Sequence, residues 1–344
     1  MKKPIRIIIT DFHLKEGNED EVISLFEQLK NTCLELQVKV VYIMGDCFYH
    51  RKKQSMEILL LMKILFNTLT KEGIKIHCFP GNHDKTNQSS TLSYLGMYEN
   101  EESVFVHEDI DNDIYKDINF LFFPFFTDEV YLEKLDELKQ NLFIEGKKNI
   151  LLTHIAVNGV TNNDGTVVNN GIKQILFDEF DKILIGHYHN SSRIGKKIFY
   201  VGSSIPHNFG ENNDKGLIVF YDDCSHELRN INFVKYHKLV FDANDKLKIE
   251  KAFLKHRNTE EKVRFIFEGT TDELASIDEK KYRKVGIDVK YKNKDIVVYS
   301  EQQQEEIVFE FNDVLLKKEF IRYCKEINAD SKKMSFGLKY LKYV

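Results

Sequence analysis

The segment IKIHCFPGNHD (residues 74–84) decides how this chain is read. IKIHCF has the length and apolar content of a buried strand. Pro80 and Gly81 stop it. Asn82, His83 and Asp84 then follow in a row. Three such side chains begin a core badly. They are well suited to presenting an amide, an imidazole and a carboxylate at the mouth of a sheet.

Working outward, the same pattern recurs. RIIIT (6–10) runs into Asp11-Phe12-His13, and VKVVYIM (38–44) into Gly45-Asp46. NILLT (149–153) runs into His154, and KILIG (182–186) into His187-Tyr188-His189. INFLFFPFF (118–126), IFYVG (198–202) and GLIVFY (216–221) are further apolar runs. Rich in Ile, Val and Phe, these runs predict strands buried on both faces. Helical patterns separate the early ones. In 18–36, Val22, Phe26, Leu29, Cys33 and Leu36 step along one face. MEILLLMKILFNTL (56–69) is apolar nearly all round and predicts a covered helix, and VYLEKLDELKQNLF (130–143) predicts an amphipathic one. The alternation predicts an α/β fold with a largely parallel sheet. In such sheets ligands collect at the carboxyl ends of strands.

Beyond about residue 240 the style changes. KVRFIFEGT (262–270) predicts a strand, DELASIDEKKYRK (272–284) a helix, and VGIDVKY and DIVVYS two strands. EQQQEE (301–306) suits a linker, and the rest, to Val344, is helical in pattern and Lys-rich at its end. A chain of 344 residues suits one large and one smaller domain at about 150 residues each. With 42% apolar and 30% charged residues it has an ordinary soluble composition. The net charge of −5 excludes a globally basic nucleic-acid binder, so a DNA partner would be held locally or through metals. The first apolar run stops at Asp11, too short for a signal core, and no run reaches about 18 residues. Five cysteines (33, 47, 78, 224, 324) form no CxxC pair and read as free thiols in a reducing compartment. The expectation is a soluble cytoplasmic protein without a membrane partner, in a bacterial host's cytoplasm if phage-encoded.

The five strand ends offer carboxylate, imidazole and amide donors and no thiolate. That mixture suits Mn²⁺, Fe or Zn²⁺ in open sites better than a closed structural zinc. The donors are too many for one ion. Two ions about 3.5–4 Å apart, sharing a carboxylate, fit the count and fit phosphoester chemistry. Alternate residues of an extended chain face the same way, so Asp11 and His13 can grip one ion. His187 and His189 can do likewise, or straddle two. Singly these signals are ambiguous: DxH is common by chance, Gly-Asp after a strand is most often a turn, and a lone His154 is more often structural. Their joint order and placement outweigh that bland reading.

D-x-H, GD, GNHD, H and GHxH in this order resemble the calcineurin-like metallophosphoesterase superfamily. Within it, the chain resembles the SbcD-type double-strand-break repair nucleases, the phage recombination nucleases above all. The resemblance covers residues 5 to about 240, including FYVGSSIPHNFGENNDKGLIVFYD (199–222) after the GHxH motif. It implies a core of two packed sheets flanked by helices over residues 1–240. A small α/β DNA-capping domain over 245–300 and a helical ATPase-binding tail over 307–344 would follow. It implies that Asp11, His13 and His189 hold a first ion, that Asn82, His154 and His187 hold a second, and that Asp46 bridges both. His83 would lie beside the scissile phosphate as proton donor or charge stabiliser, and Asp84 would orient it. The implied cofactor is a pair of divalent ions, Mn²⁺ first, with Mg²⁺, Fe or Zn²⁺ as alternatives. The implied activity is duplex exonuclease and single-strand endonuclease. The implied partners are DNA, an SbcC-type coiled-coil ABC ATPase and a second copy of the chain.

One departure stands out. Tyr49 occupies a position where some members carry His, and His50, Arg51 and Lys52 follow it. These three could touch DNA backbone or simply be solvated. Two rival readings remain. One is a small-molecule phosphodiesterase or a phosphatase of the same superfamily, although protein phosphatases favour GD-x-x-D-R-G and GNHE. The other is a non-catalytic scaffold, which would have no need of His83. Histidines 77, 107, 207, 226, 237 and 256 sit in no ligand spacing and read as structural.

Overall fold

A computed structural model describes residues 2–162 and 165–295. The expected tail over 307–344 lies outside the described residues, as does nearly all of DIVVYS.

The chain opens with β1 (Pro4–Ile9), α1 (Glu19–Leu36), β2 (Val40–Met44), α2 (Met56–Thr70), β3 (Lys75–Phe79) and β4 (Val104–Val106). It continues through β5 (Asp111–Tyr115), β6 (Ile118–Phe123), α3 (Asp128–Asn141), β7 (Lys148–Thr153), β8 (Lys182–Ile185), β9 (Ser192–Ile194) and β10 (Ile198–Tyr200). β11 (Gly216–Tyr221) and β12 (His226–Asn230) complete the larger part. The smaller part comprises β13 (Tyr236–Asp242), α4 (Lys246–His256), β14 (Lys262–Gly269), α5 (Thr271–Ala275), α6 (Glu279–Arg283) and β15 (Asp288–Asn293).

Two six-stranded sheets form, in the orders β12-β11-β1-β2-β3-β4 and β5-β6-β7-β8-β10-β9. Their centres are parallel: β1 to β4 in the first, and β6, β7, β8 and β10 in the second. Only the edges are antiparallel. Side-chain alternation explains the continuous apolar runs, because both faces of each sheet are covered. In β1 and β2, Ile8, Tyr42 and Met44 face the second sheet and meet Phe120, Phe122, Leu152 and Leu184. Ile7, Val41 and Ile43 face the other way, against Phe26, Leu29 and Phe66 of α1 and α2. Tyr131, Leu135 and Leu138 of α3 cover Leu121 and Leu151 on the far side of the second sheet. The result is four layers, helix, sheet, sheet, helix. Buried Arg6 ties the sheets at one rim, donating to the Tyr42 hydroxyl at 2.7 Å and to Asp113 on β5 at 2.8 Å.

Three features depart from the sequence expectation. Helix α2 is covered on one side only: Met56, Leu60 and Ile64, spaced by four, are 64%, 54% and 60% exposed. Segment 272–284 is two short helices rather than one. The first run stops at Ala275 with Ser276 as its C-cap, and Asp278 caps the second, accepting from Lys281 N, while Thr270 and Glu273 form a capping box that starts α5. The third sheet, β13-β14-β15, draws its first strand from Tyr236–Asp242, ahead of the expected boundary at 240–245. Among the described residues no helix is long and apolar enough to cross a membrane.

Candidate metal centre

The carboxyl ends of β1, β2 and β3 meet those of β7 and β8 at one rim. Backbone hydrogen bonds lock the turns together: Asp11 N donates to Gly45 O at 3.0 Å, His13 N to Asp46 O at 3.1 Å, and Gly186 N to Thr153 O at 3.0 Å. The turns are tight. A Cβ on Gly45 would lie 2.5 Å from Gly81 N, and one on Gly186 would lie 2.6 Å from Thr10 Oγ1 and 2.7 Å from His154 Nδ1. Four expected site residues take left-handed backbone: Asp11 at φ 51°, His13 at 45°, Asp46 at 50° and His187 at 80°. That conformation costs roughly 1–2 kcal/mol for a residue with a Cβ. Such outliers cluster where side chains must be aimed rather than packed.

The aim is convergent. Asp46 Oδ2 lies 3.3 Å from His154 Nε2 and 3.7 Å from His13 Nε2. Asp11 Oδ1 lies 3.9 Å from the Nε2 atoms of both His154 and His189. His13 and His189 meet Nε2 to Nε2 at 3.1 Å, and His187 Nδ1 is 3.0 Å from Asn82 Oδ1. All seven expected ligands therefore share one site. Two overlapping groups, His13-Asp46-His83 and Asp46-His154-His187, have the spacing to hold a metal ion, and Asp46 belongs to both.

The rings are turned so that lone pairs point inward. His154 Nδ1 donates to Met44 O at 2.9 Å, and His189 Nδ1 donates to Glu211 Oε1 at 2.8 Å. Anchoring one ring nitrogen in this way turns the other toward the site as a ligand. His154 Nε2 is buried and makes no aligned hydrogen bond, although Asp46 is close. A buried polar atom without a hydrogen bond is costly, and a cation between it and Asp46 removes the cost. The donor set, imidazole, carboxylate and amide oxygen, suits a divalent ion.

The electrostatics agree. Burial pushes the Asp11 carboxyl up, and the neighbouring Asp46 adds to that, against the attraction of His154 and His189. Burial also acts against Asp46, but His154 outweighs it and holds Asp46 well below the usual carboxylate range. For His154 burial is overcome by Asp46 and Asp11, which push it up to about 9. Burial drives His187 down to about 3 and His13 well below its ordinary value. Asp46 and Asp11 therefore draw positive charge to the position of His154.

His83 stands at the mouth, with its ring edge-on to His13 at 4.8 Å. Its Nδ1 donates to Tyr49 O at 2.5 Å, and its Nε2 accepts from Arg51 Nη2 at 3.1 Å. Asp84 does not orient this ring. Its fully buried carboxylate accepts from Phe48 N at 3.0 Å and Gly81 N at 2.9 Å, bracing the turn behind Asp46. Burial, with the charge of Asp46, pushes Asp84 up to about 7. Of the basic trio, Arg51 reaches the site through His83. His50 is exposed with its ring edge-on to Tyr49, and Lys52 is exposed.

Three participants escape a reading by sequence. His207 joins His13 and His189 in a third group with metal-holding spacing, and its Nε2 donates to Asp11 O at 2.6 Å. Glu211 orients His189 and pairs with buried Lys215 at 3.1 Å. For Glu211 burial is outweighed by His189 and Lys215, which hold it down to about 2. The segment after GHxH stands out as a whole, but nothing in its spacing marks Glu211. Lys85, fully buried, donates to Phe125 O at 2.7 Å and Ser90 O at 3.0 Å, and so sets Phe125, whose ring stacks on His187.

Comparisons with known proteins bear on the family. The chain is 24% identical over 223 residues to "Putative phosphoesterase 244L" of Invertebrate iridescent virus 6, across 62% of this chain and 74% of that protein. It is 26% identical over 243 residues to a protein of Staphylococcus saprophyticus named as a subunit of nuclease SbcCD, across 60% of this chain. That match spans 62% of the staphylococcal protein, less than two thirds of its length. The profile of the calcineurin-like phosphoesterase family matches residues 6–191, more than half of the 344. The chain belongs to the calcineurin-like phosphoesterases.

Proposed function

We propose that this chain is a DNA nuclease that cleaves phosphodiesters with two divalent ions, Mn²⁺ foremost. The observation that carries the two-ion reading is Asp46 Oδ2, which faces both His13 and His154 within 4 Å. Asp11, His13 and His189 would hold one ion, Asn82, His154 and His187 the other, and Asp46 both. When bound, such ions supply Lewis-acid charge stabilisation and activate a water nucleophile.

The remaining chemistry belongs to the side chains. His83, once Arg51 has turned away and Nε2 has taken up a proton from solvent, delivers that proton to the leaving oxygen. The Tyr49 carbonyl, held by Nδ1–H, stabilises the ring while Nε2 carries that proton. Arg51 releases Nε2 and turns to a phosphate oxygen, for which its fork of donors is suited. Asp84 and the close-packed glycines keep the Asp46 turn rigid under the charge of the substrate.

DNA as substrate is supported by the likeness to a protein named as part of a nuclease. The same name favours an SbcC-type partner; that this partner is a coiled-coil ABC ATPase, and that a second copy of this chain joins it, are read from the sequence resemblance alone. Residues 245–300 would cap DNA and the tail over 307–344 would bind the ATPase, in the cytoplasm. The test is cleavage of end-labelled duplex and of circular single-stranded DNA with Mn²⁺, beside a bis-nitrophenyl phosphate. Mn²⁺-dependent cutting of DNA is expected. Turnover of the small diester with intact DNA would favour a small-molecule phosphodiesterase.

A further inference from the structure

Far along the chain from the strand-end cluster, three more side chains with metal-binding atoms converge. His237 lies on β13, His256 is the last residue of α4, and Glu261 sits in the loop before β14. His237 Nε2 is 3.0 Å from Glu261 Oε2, and His256 Nδ1 is 4.0 Å from the same oxygen. The two rings stand 5.5 Å apart between centroids. We propose that His237, His256 and Glu261 form a separate divalent-cation site of the Zn²⁺ type, with its fourth position open to a neighbouring cleft.

Two imidazoles and one carboxylate make up one of the usual three-ligand zinc sets. Tetrahedral ligands at about 2.0–2.1 Å from one ion lie about 3.3 Å from each other, with imidazole centroids about 5 Å apart. Glu261 Oε2 already stands 3.0 Å from His237 Nε2, and His256 Nδ1, at 4.0 Å, must swing closer for the three atoms to close on one ion. His237 contacts Glu261 as an ion pair, but a poorly aligned one. Its Nε2 is buried and 3.0 Å from a carboxylate oxygen, yet it lacks the alignment of a hydrogen bond. A ring whose lone pair is meant for an ion has no need of that alignment.

The surroundings fit a cation. Thr259 fixes the carboxylate, donating from its hydroxyl to Glu261 Oε2 at 3.3 Å and accepting from Glu261 N at 3.2 Å. A partner that orients a ligating carboxylate is a regular feature of metal sites. Burial lowers His256 and favours the neutral ring that a metal needs. His256 also ends an eleven-residue helix, where the backbone carbonyls favour positive charge. Glu261 lines a cleft of about 390 Å³ together with Asp20, Glu21, Glu260 and Phe233. The acidic residues give an ion an entry path from solvent. A bound ion would pin the end of α4 and the 257–261 loop to β13, beside the first turn of α1.

The test is metal counting on the full-length protein. Wild type and the variants His237→Gln and Glu261→Gln are loaded with Zn²⁺, desalted and analysed by elemental mass spectrometry. The expected result is one ion fewer per chain in each variant at unchanged circular dichroism. Because the reading is a difference, it does not depend on how many ions the strand-end cluster holds. Equal counts in wild type and both variants would overturn the site and leave an ordinary histidine–carboxylate cluster. His256→Gln is a third arm. Should that buried change prevent folding, the other two variants decide.

Discussion

His13 Nε2 and His189 Nε2 face each other at 3.1 Å, and each ring is anchored through its opposite nitrogen. His189 Nδ1 donates to Glu211, and His13 Nδ1 lies 3.3 Å from Phe48 O. Two lone pairs at that distance repel unless a positive charge lies between them. Burial works against placing that charge as a proton on His13. The same pair would be content around a divalent ion. Metal loading should therefore expel protons and weaken as the pH falls.

Glu211→Gln tests how that pair is oriented. Removing the carboxylate charge leaves buried Lys215 with only the His189 carbonyl and His189 without its charged acceptor. Loss of an orienting partner is expected to weaken metal binding about 10–100-fold. Folding should also suffer, by about 3 kcal/mol. The sign in pH is fixed by the depressed carboxyl, about 2 against an ordinary 4.5. Its stabilisation is complete above 4.5 and is lost as the pH falls from there towards 2. Denaturation of both proteins across that window should show the gap between them closing.

His83→Ala should spare metal and DNA binding and reduce turnover by about 10²–10⁴. Although His83 stands within ligand spacing of His13 and Asp46, both its ring nitrogens are already engaged, by Tyr49 O and Arg51 Nη2. Calorimetric Mn²⁺ titration and single-turnover cleavage separate the effects. A variant that lost metal, or kept its full rate, would refute the proton-donor role.

Gly81→Ala alters no proposed ligand and should still disable the site. The added methyl would collide with the Asp46 backbone nitrogen, 2.5 Å away, and with its carboxylate. The expected outcome is a folded protein by circular dichroism whose Mn²⁺ affinity falls at least tenfold. Unchanged affinity would mean that the Asp46 turn tolerates displacement.

Deleting residues 307–344 should leave a metal-dependent phosphodiesterase, because residues 1–293 form a compact unit. On the proposed assignment, the truncated chain should no longer co-purify with an SbcC-type ATPase. Unchanged binding in a pull-down would move the partner site elsewhere.

The α/β layers and the converging residues were legible because each strand is a short, doubly buried run that ends in a polar motif. Asp11, Asp46, Asn82, His154 and His187 announce themselves by following such runs directly. His207 and Glu211 follow no strand end. They reach the cluster through an irregular loop, and only tertiary packing brings them there. Asp84 sits next to His83 in sequence, but its carboxylate turns the other way, towards Gly81 N and Phe48 N. Apolar content alone could not tell that α2 leaves Met56, Leu60 and Ile64 in solvent. Nor did 272–284 reveal its break, which rests on the capping side chain of Asp278.

The central claim is that Asp46 is shared by two metal ions. It is tested most directly by anomalous scattering at the manganese edge, on crystals of the full-length protein grown in Mn²⁺. The account predicts two peaks about 3.5–4 Å apart on either side of the Asp46 carboxylate. One should lie against Asp11, His13 and His189, and the other against Asn82, His154 and His187. The absence of any peak within bonding reach of Asp46 at saturating Mn²⁺ would contradict it.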